Sequence, residues 1–184
     1  MPSIRDALGH GGDGFDDAGE FVPDHLPDPG PFLDDHDVLT GAAHVAVHET
    51  ARECFEERGV YDVTFDYNLA RLNLDARHPD AGYRYAEETD DPAVLRAEFT
   101  PTTPFCPQSR ALAVGSFRAW NGLADRHDYD CVRVRVHPMH HAAEEINDRL
   151  AALESTFRET GEVTGADEDT AGRGEDAGGP RLPF

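Results

Sequence analysis

The sequence predicts a small two-layer α/β domain in the order helix-strand-strand-helix-strand-helix, with helices packed on a three- or four-stranded mixed sheet. Three observations predict it. Apolar residues recur at helical spacing in three segments, near 38–58, 107–123 and 140–157. They alternate at period two near 63–69, 95–99 and 129–136. The chain has 184 residues, and setting aside its polar ends leaves one core of roughly 120 residues.

Residues 1–36 are dominated by Gly, Asp and Pro with scattered apolars, and predict a disordered acidic arm. Gly9, Gly11 and Gly14 match a dinucleotide-loop spacing, but no strand precedes them and Asp13, Asp16 and Asp17 would repel a phosphate. The domain proper is expected over 37–159, and 160–184 forms a second disordered acidic tail. Val38 to Arg58 predicts the first helix. Asp37 can cap its start, Gly59 can end it, and Ala43, Val47, Ala51, Cys54 and Phe55 share one face. Val63, Phe65, Tyr67 and Leu69 alternate as a strand, with a bulge or turn expected near 68–71, where the parity changes. The polar stretch 76–91 reads as an inserted loop. Leu95, Ala97 and Phe99 mark the next strand, closed by the turn Thr103-Pro104-Phe105-Cys106-Pro107. A helix to about Leu123, a strand from Tyr129 to Val136 and a helix from about His140 to Phe157 complete the order.

Thirty-seven acidic residues face sixteen basic ones, all arginine, for a formal charge of −21. That field repels nucleic acid and anionic lipid, so neither is an expected partner. Strong acidity without lysine fits a salt-rich, halophile-type cytoplasm, where the Debye length falls to about 3 Å and self-repulsion is screened. No apolar run approaches the roughly 18 residues of a membrane helix, and no basic segment followed by an apolar one opens the chain, so a cytoplasmic protein is expected.

The segment 95–136 is strand, helix, strand, long enough for a crossover between parallel neighbours, whose ends share one edge. The loop after the first strand holds Thr102, Thr103, Cys106 and Gln108; the loop after the second holds His137, Met139, His140 and His141. Both sets are expected beyond the carboxyl ends of the sheet, where α/β proteins place their sites. Cys106 precedes Pro107 at a helix start, where the dipole favours thiolate, and the same field keeps His140 and His141 neutral and able to ligate metal. Cys106, His137, His140 and His141 are the candidate metal ligands. A rigid turn with polar helix-start histidines is the plain structural alternative. Cys54 is expected in the core, Cys131 off the sheet face beside Arg133 and Arg135, and Trp120 in packing. His44 and His48, four apart, are read as a solvated helix flank because no third ligand accompanies them.

The stretch from Glu98 to Pro107, followed by an apolar helix, a valine-alternating strand and Pro138, resembles the iron-sulfur cluster assembly domain family of SufT and PaaD. The resemblance covers roughly 38–150 and is most specific over 94–138. It implies that Cys106 is the functional cysteine, that Thr102 and Thr103 neighbour the bound group, and that the protein is an assembly or maturation factor more than an enzyme. One chain offers a single thiolate there, whereas stable clusters usually take four ligands. The expected cofactor is therefore a transient iron-sulfur cluster or iron, bridged within a homodimer or to an iron-sulfur client or scaffold protein. Zinc or iron held by Cys106 with the histidines, thiol-dependent enzyme chemistry, or a non-catalytic interaction module are the alternatives.

Overall fold

The computed structural model describes residues 26–62, 67–70 and 80–163. It is a small α/β domain with three α-helices and a four-stranded mixed sheet. The chain runs β1 (Asp37–Val38), α1 (Gly41–Arg58), β2 (Tyr61–Asp62), β3 (Tyr67–Asn68), β4 (Gly82–Glu87), β5 (Val94–Thr100), α2 (Ser109–Gly122), β6 (Cys131–Val136) and α3 (Ala143–Thr160). The main sheet has the order β1-β4-β5-β6. β4 pairs antiparallel with β1 and β5, and β6 pairs parallel with β5, from Val94 opposite Cys131 to Phe99 opposite Val136. The expected crossover through α2 therefore forms.

Several expectations change. The first helix starts at Gly41, not Val38, because Asp37 and Val38 pair with Glu87 and Ala86 instead. It ends as expected at Gly59, whose φ of 68° is left-handed and suits a residue without Cβ. The polar stretch 76–91 contains β4, a central strand, where Tyr83 and Tyr85 are fully buried on one face and Arg84 points the other way. The expected strand over 63–69 and its bulge fall largely outside the described residues; what is described there is a two-residue antiparallel ladder of β2 with β3. The last part of the expected arm, 26–36, is packed: Pro31–Leu33 forms a 3-10 turn and Leu33 is buried. Residues 1–25 and 164–184, the rest of the expected arm and tail, lie outside the described residues.

One sheet face builds the core. Tyr83, Tyr85, Leu95, Ala97, Phe99, Val132, Val134 and Val136 point to it and meet apolar residues of the helices. Tyr83 stacks on Phe99 at 5.2 Å, and its hydroxyl donates to Ser116, which donates on to the Leu112 carbonyl. A buried phenol needs such a partner. Phe157 of α3 meets Phe117 of α2 edge-on, while Ile146, Leu150 and Leu153 complete the core.

β6 is an edge strand, and its open side is satisfied by side chains. Asn121 of α2 donates to the Val132 carbonyl and accepts its N–H, both at 2.9 Å. Asn147 of α3 does the same for Val136, at 2.9 and 2.7 Å. The Arg135 guanidinium donates to the Val134 carbonyl between them. Two amides thus stand in for a neighbouring strand and block edge-to-edge pairing. Asn121→Ala leaves a buried N–H and carbonyl of Val132 unmet, and urea titration is expected to show a loss of roughly 1–2 kcal/mol.

Candidate functional site

The outer sheet face carries Arg84, Arg96, Glu98, Arg133 and Arg135, and the 26–34 segment lies across it as a strap. Glu98, 1% exposed, accepts the Gly30 N–H at 2.5 Å and the Phe32 N–H at 3.3 Å. Arg84 donates to the Pro27 carbonyl and Arg96 to that of Phe32. The Phe32 ring lies 4.6–5.5 Å from the guanidinium carbons of Arg96, Arg133 and Arg135. Glu88 and Glu154 pair with these arginines. Burial alone would raise the Glu88 carboxyl, but hydrogen bonds from Arg133 and Arg96 hold it below its ordinary value.

Beyond the carboxyl ends of β5 and β6 the two expected loops meet. The His137 N–H continues the ladder to the Phe99 carbonyl, and the His141 N–H donates to the Pro104 carbonyl at 2.9 Å. His140 reaches across with Nε2, 2.9 Å from the Cys106 carbonyl, while its Nδ1 accepts the Ala142 N–H at 3.1 Å. A carbonyl only accepts, so Nε2 carries the hydrogen. The His141 ring sits 4.8 Å from that of His140 and 5.4 Å from Phe105. The result is a clasp that fixes the turn carrying Cys106.

The clasp alters the roles expected of these residues. His140 is 5% exposed and spends both ring nitrogens on backbone groups, so it positions the Cys106 turn and has no lone pair left for a metal or for a thiol proton. His137 uses Nδ1 to accept the Met139 N–H and rests its ring beside Gly30 and Glu98. His141 is exposed. Among the described residues no group of three or more His, Cys, Asp or Glu side chains is arranged to hold a metal, Cys106, His137, His140 and His141 included. Nor does Cys106 reach the cap of α2: the cap residue is Gln108, two positions on, because the Cys106 carbonyl is taken by the Ser109 N–H in the preceding turn. Thr102 is half-buried and Thr103 exposed; the Thr103 carbonyl accepts the Cys106 N–H at 3.4 Å and closes the turn.

The three cysteines differ sharply. Cys54 and Cys131 are buried, and burial raises both thiols, Cys54 to about 11. Cys106 is half-exposed, and Phe105 beside it is 72% exposed, an apolar ring held out from the surface. Sequence reasoning assigned no role to Phe105 or Glu98. Glu98 had a visible signal, a carboxylate inside a strand on the parity opposite Leu95, Ala97 and Phe99.

His44 and His48 are not a solvated flank. Both are buried on the core-facing stripe of α1, while Ala43, expected there, is exposed. His48 Nδ1 accepts from the Tyr85 hydroxyl at 2.7 Å, and its Nε2 donates to the Ala70 carbonyl at 2.6 Å.

Fold and site together define a small α/β domain that presents one accessible thiol from a clasped turn at the carboxyl edge of a parallel strand pair. The chain belongs to the family described as Domain of unknown function (DUF7998), which matches residues 13–164. No curated protein and no solved structure matches it. Among the described residues no helix is long and apolar enough to cross a membrane.

Proposed function

We infer that the protein is an iron-sulfur cluster assembly or maturation factor, a carrier or adaptor that acts through Cys106 in the cytoplasm. The cluster or iron is cargo. The observation that carries this reading is the contrast among the thiols: Cys106 alone combines exposure, a rigid turn and an apolar neighbour, Phe105, on which a partner can seat. With no three-ligand group among the described residues, further ligands must come from a client or scaffold protein or from a second copy of the chain. The clasp of His140 and His141 supports the reading by holding the turn in place before a partner arrives. Free thiols at all three cysteines accord with a reducing cytoplasm.

Anaerobic reconstitution with iron and sulfide in molar salt tests the thiol. The wild type is expected to take up roughly one cluster per two chains, with visible absorbance, and Cys106→Ser to lose most of it. Equal cluster content in both proteins would remove Cys106 from the mechanism. A second reading, an interaction module without metal chemistry, is favoured by the exposure of Phe105. In that case Phe105→Ala abolishes partner binding and Cys106→Ser leaves it intact.

A further inference from the structure

We propose that the cleft between α1, β4 and the connection from α2 to β6 binds a small organic ammonium ion. The cleft measures about 400 Å3, and its lining includes Val47, Glu87, Trp120, His127, Asp128 and Tyr129. That volume is at the lower end for small-molecule sites. It lies where β5 and β6 begin, at the opposite end of the parallel pair from Cys106, and takes no part in the clasp.

The aromatic wall is fixed without a ligand. His127 Nε2 donates to the Trp120 carbonyl at 2.8 Å, and its Nδ1 accepts the Tyr129 N–H at 3.2 Å. Those two bonds define an imidazole with one ring proton, whose face attracts cations. Its ring is 5.3 Å from Trp120, edge-on, and 5.9 Å from Tyr129. The Tyr129 hydroxyl donates to Glu87 at 2.9 Å, and burial together with the Glu87 charge holds the phenol well above its ordinary value, so it stays neutral. Glu87 and Asp128 supply negative charge, and no arginine is among the lining residues.

This combination selects a ligand class. A hard metal ion needs several oxygen ligands, and the described residues gather no such group. An anion meets two carboxylates. A methylated ammonium offers a diffuse positive charge to the carboxylates and methyl groups to the rings and Val47. The sequence contains no lysine, so no side chain of the protein supplies an ammonium to the cleft.

Trp120 is the single tryptophan, fully buried and among the residues lining the cleft, so its emission reports occupancy. The full chain is titrated at constant ionic strength with choline and with 3,3-dimethylbutan-1-ol, the neutral carbon isostere. Choline is expected to give a saturable change, and the isostere to bind about tenfold more weakly. Tyr129→Phe, which keeps the ring, stays within about threefold of the wild type, whereas Tyr129→Leu and Glu87→Gln each weaken choline by roughly fivefold or more. Circular dichroism establishes that each variant is folded; should Tyr129→Leu fail to fold, Glu87→Gln and the choline-to-isostere ratio decide. Equal binding of choline and isostere, or no saturable response to choline, overturns the proposal.

Discussion

Lowering the pH from 7 to 4.5 is expected to remove about 5 kcal/mol of folding stability, through two histidines that the core holds uncharged. Burial is the first cause at both. It lowers His44 to about 3, helped by the nearby charges of His48 and Arg84. It lowers His48 to about 4; the bond to Ala70 opposes this and Arg52 reinforces it. The unfolded chain binds protons at both imidazoles below about 6.5, whereas the folded chain does not. Their stabilising contribution is therefore complete above pH 6.5 and is lost as pH falls toward the folded values, at a slope approaching about 2.7 kcal/mol per pH unit for two protons. Two carboxyls modify this: Glu98, raised by burial, is relieved by acid within the same range and offsets part of the loss, while Glu88, held low by Arg133 and Arg96, adds to it.

Urea midpoints in molar salt at pH 7.5, 6.0 and 5.0 measure this slope. His48→Gln preserves an acceptor for Tyr85 and a donor for Ala70, and His44→Leu fills the space with an apolar side chain. Each single variant is expected to halve the slope, and the double variant to flatten it. A double variant as acid-sensitive as the wild type would falsify the assignment.

Local pattern made much of the fold legible. Gly59 ended its helix, Leu95, Ala97 and Phe99 marked β5, Val132, Val134 and Val136 marked β6, and the parallel crossover brought the Cys106 and His140 loops together as topology requires. The remainder depended on partners distant in sequence. Tyr83 and Tyr85 alternate within a run so polar that 76–91 read as a loop; their burial comes from Phe99, Ser116 and Trp120. His48 lies in the core because Tyr85 and Ala70, 37 and 22 residues away, take up its nitrogens. The strap has the composition of a disordered arm and is seated by one carboxylate and a set of guanidiniums 57 to 68 residues away. At the site, position was readable and role was not. Spacing brings His140 to Cys106, but only coordinates reveal that its ring grips a carbonyl and not the thiol.

Glu98→Ala is expected to lower stability by about 3 kcal/mol and to release the 26–34 strap. The carboxylate receives two backbone N–H groups from the strap, and hydrogen bonds to a charged acceptor contribute roughly 1.5–3 kcal/mol each, partly offset by relief from burying the charge. Alanine leaves both N–H groups without that acceptor, and the strap keeps the Arg84 and Arg96 contacts, the Phe32 ring and the buried Leu33 side chain. Gly30→Ala attacks the same seat from the other side. A Cβ there would lie 2.5 Å from His137 Cδ2 and 2.6 and 2.7 Å from the Glu98 oxygens. Those oxygens are pinned by the strap and the His137 ring by the Met139 N–H, so a loss of roughly 1–3 kcal/mol follows from overpacking. Because His137 begins the loop that carries the clasp, release of the strap is expected to reach the thiol. Alkylation of Cys106 should quicken in both variants while Cys54 and Cys131 stay protected, and amide exchange at Gly30 and Phe32 should lose its protection. Wild-type exchange at those two amides in Glu98→Ala, with stability unchanged, would mean that the arginines, Phe32 and Leu33 hold the strap and that Glu98 is incidental to it.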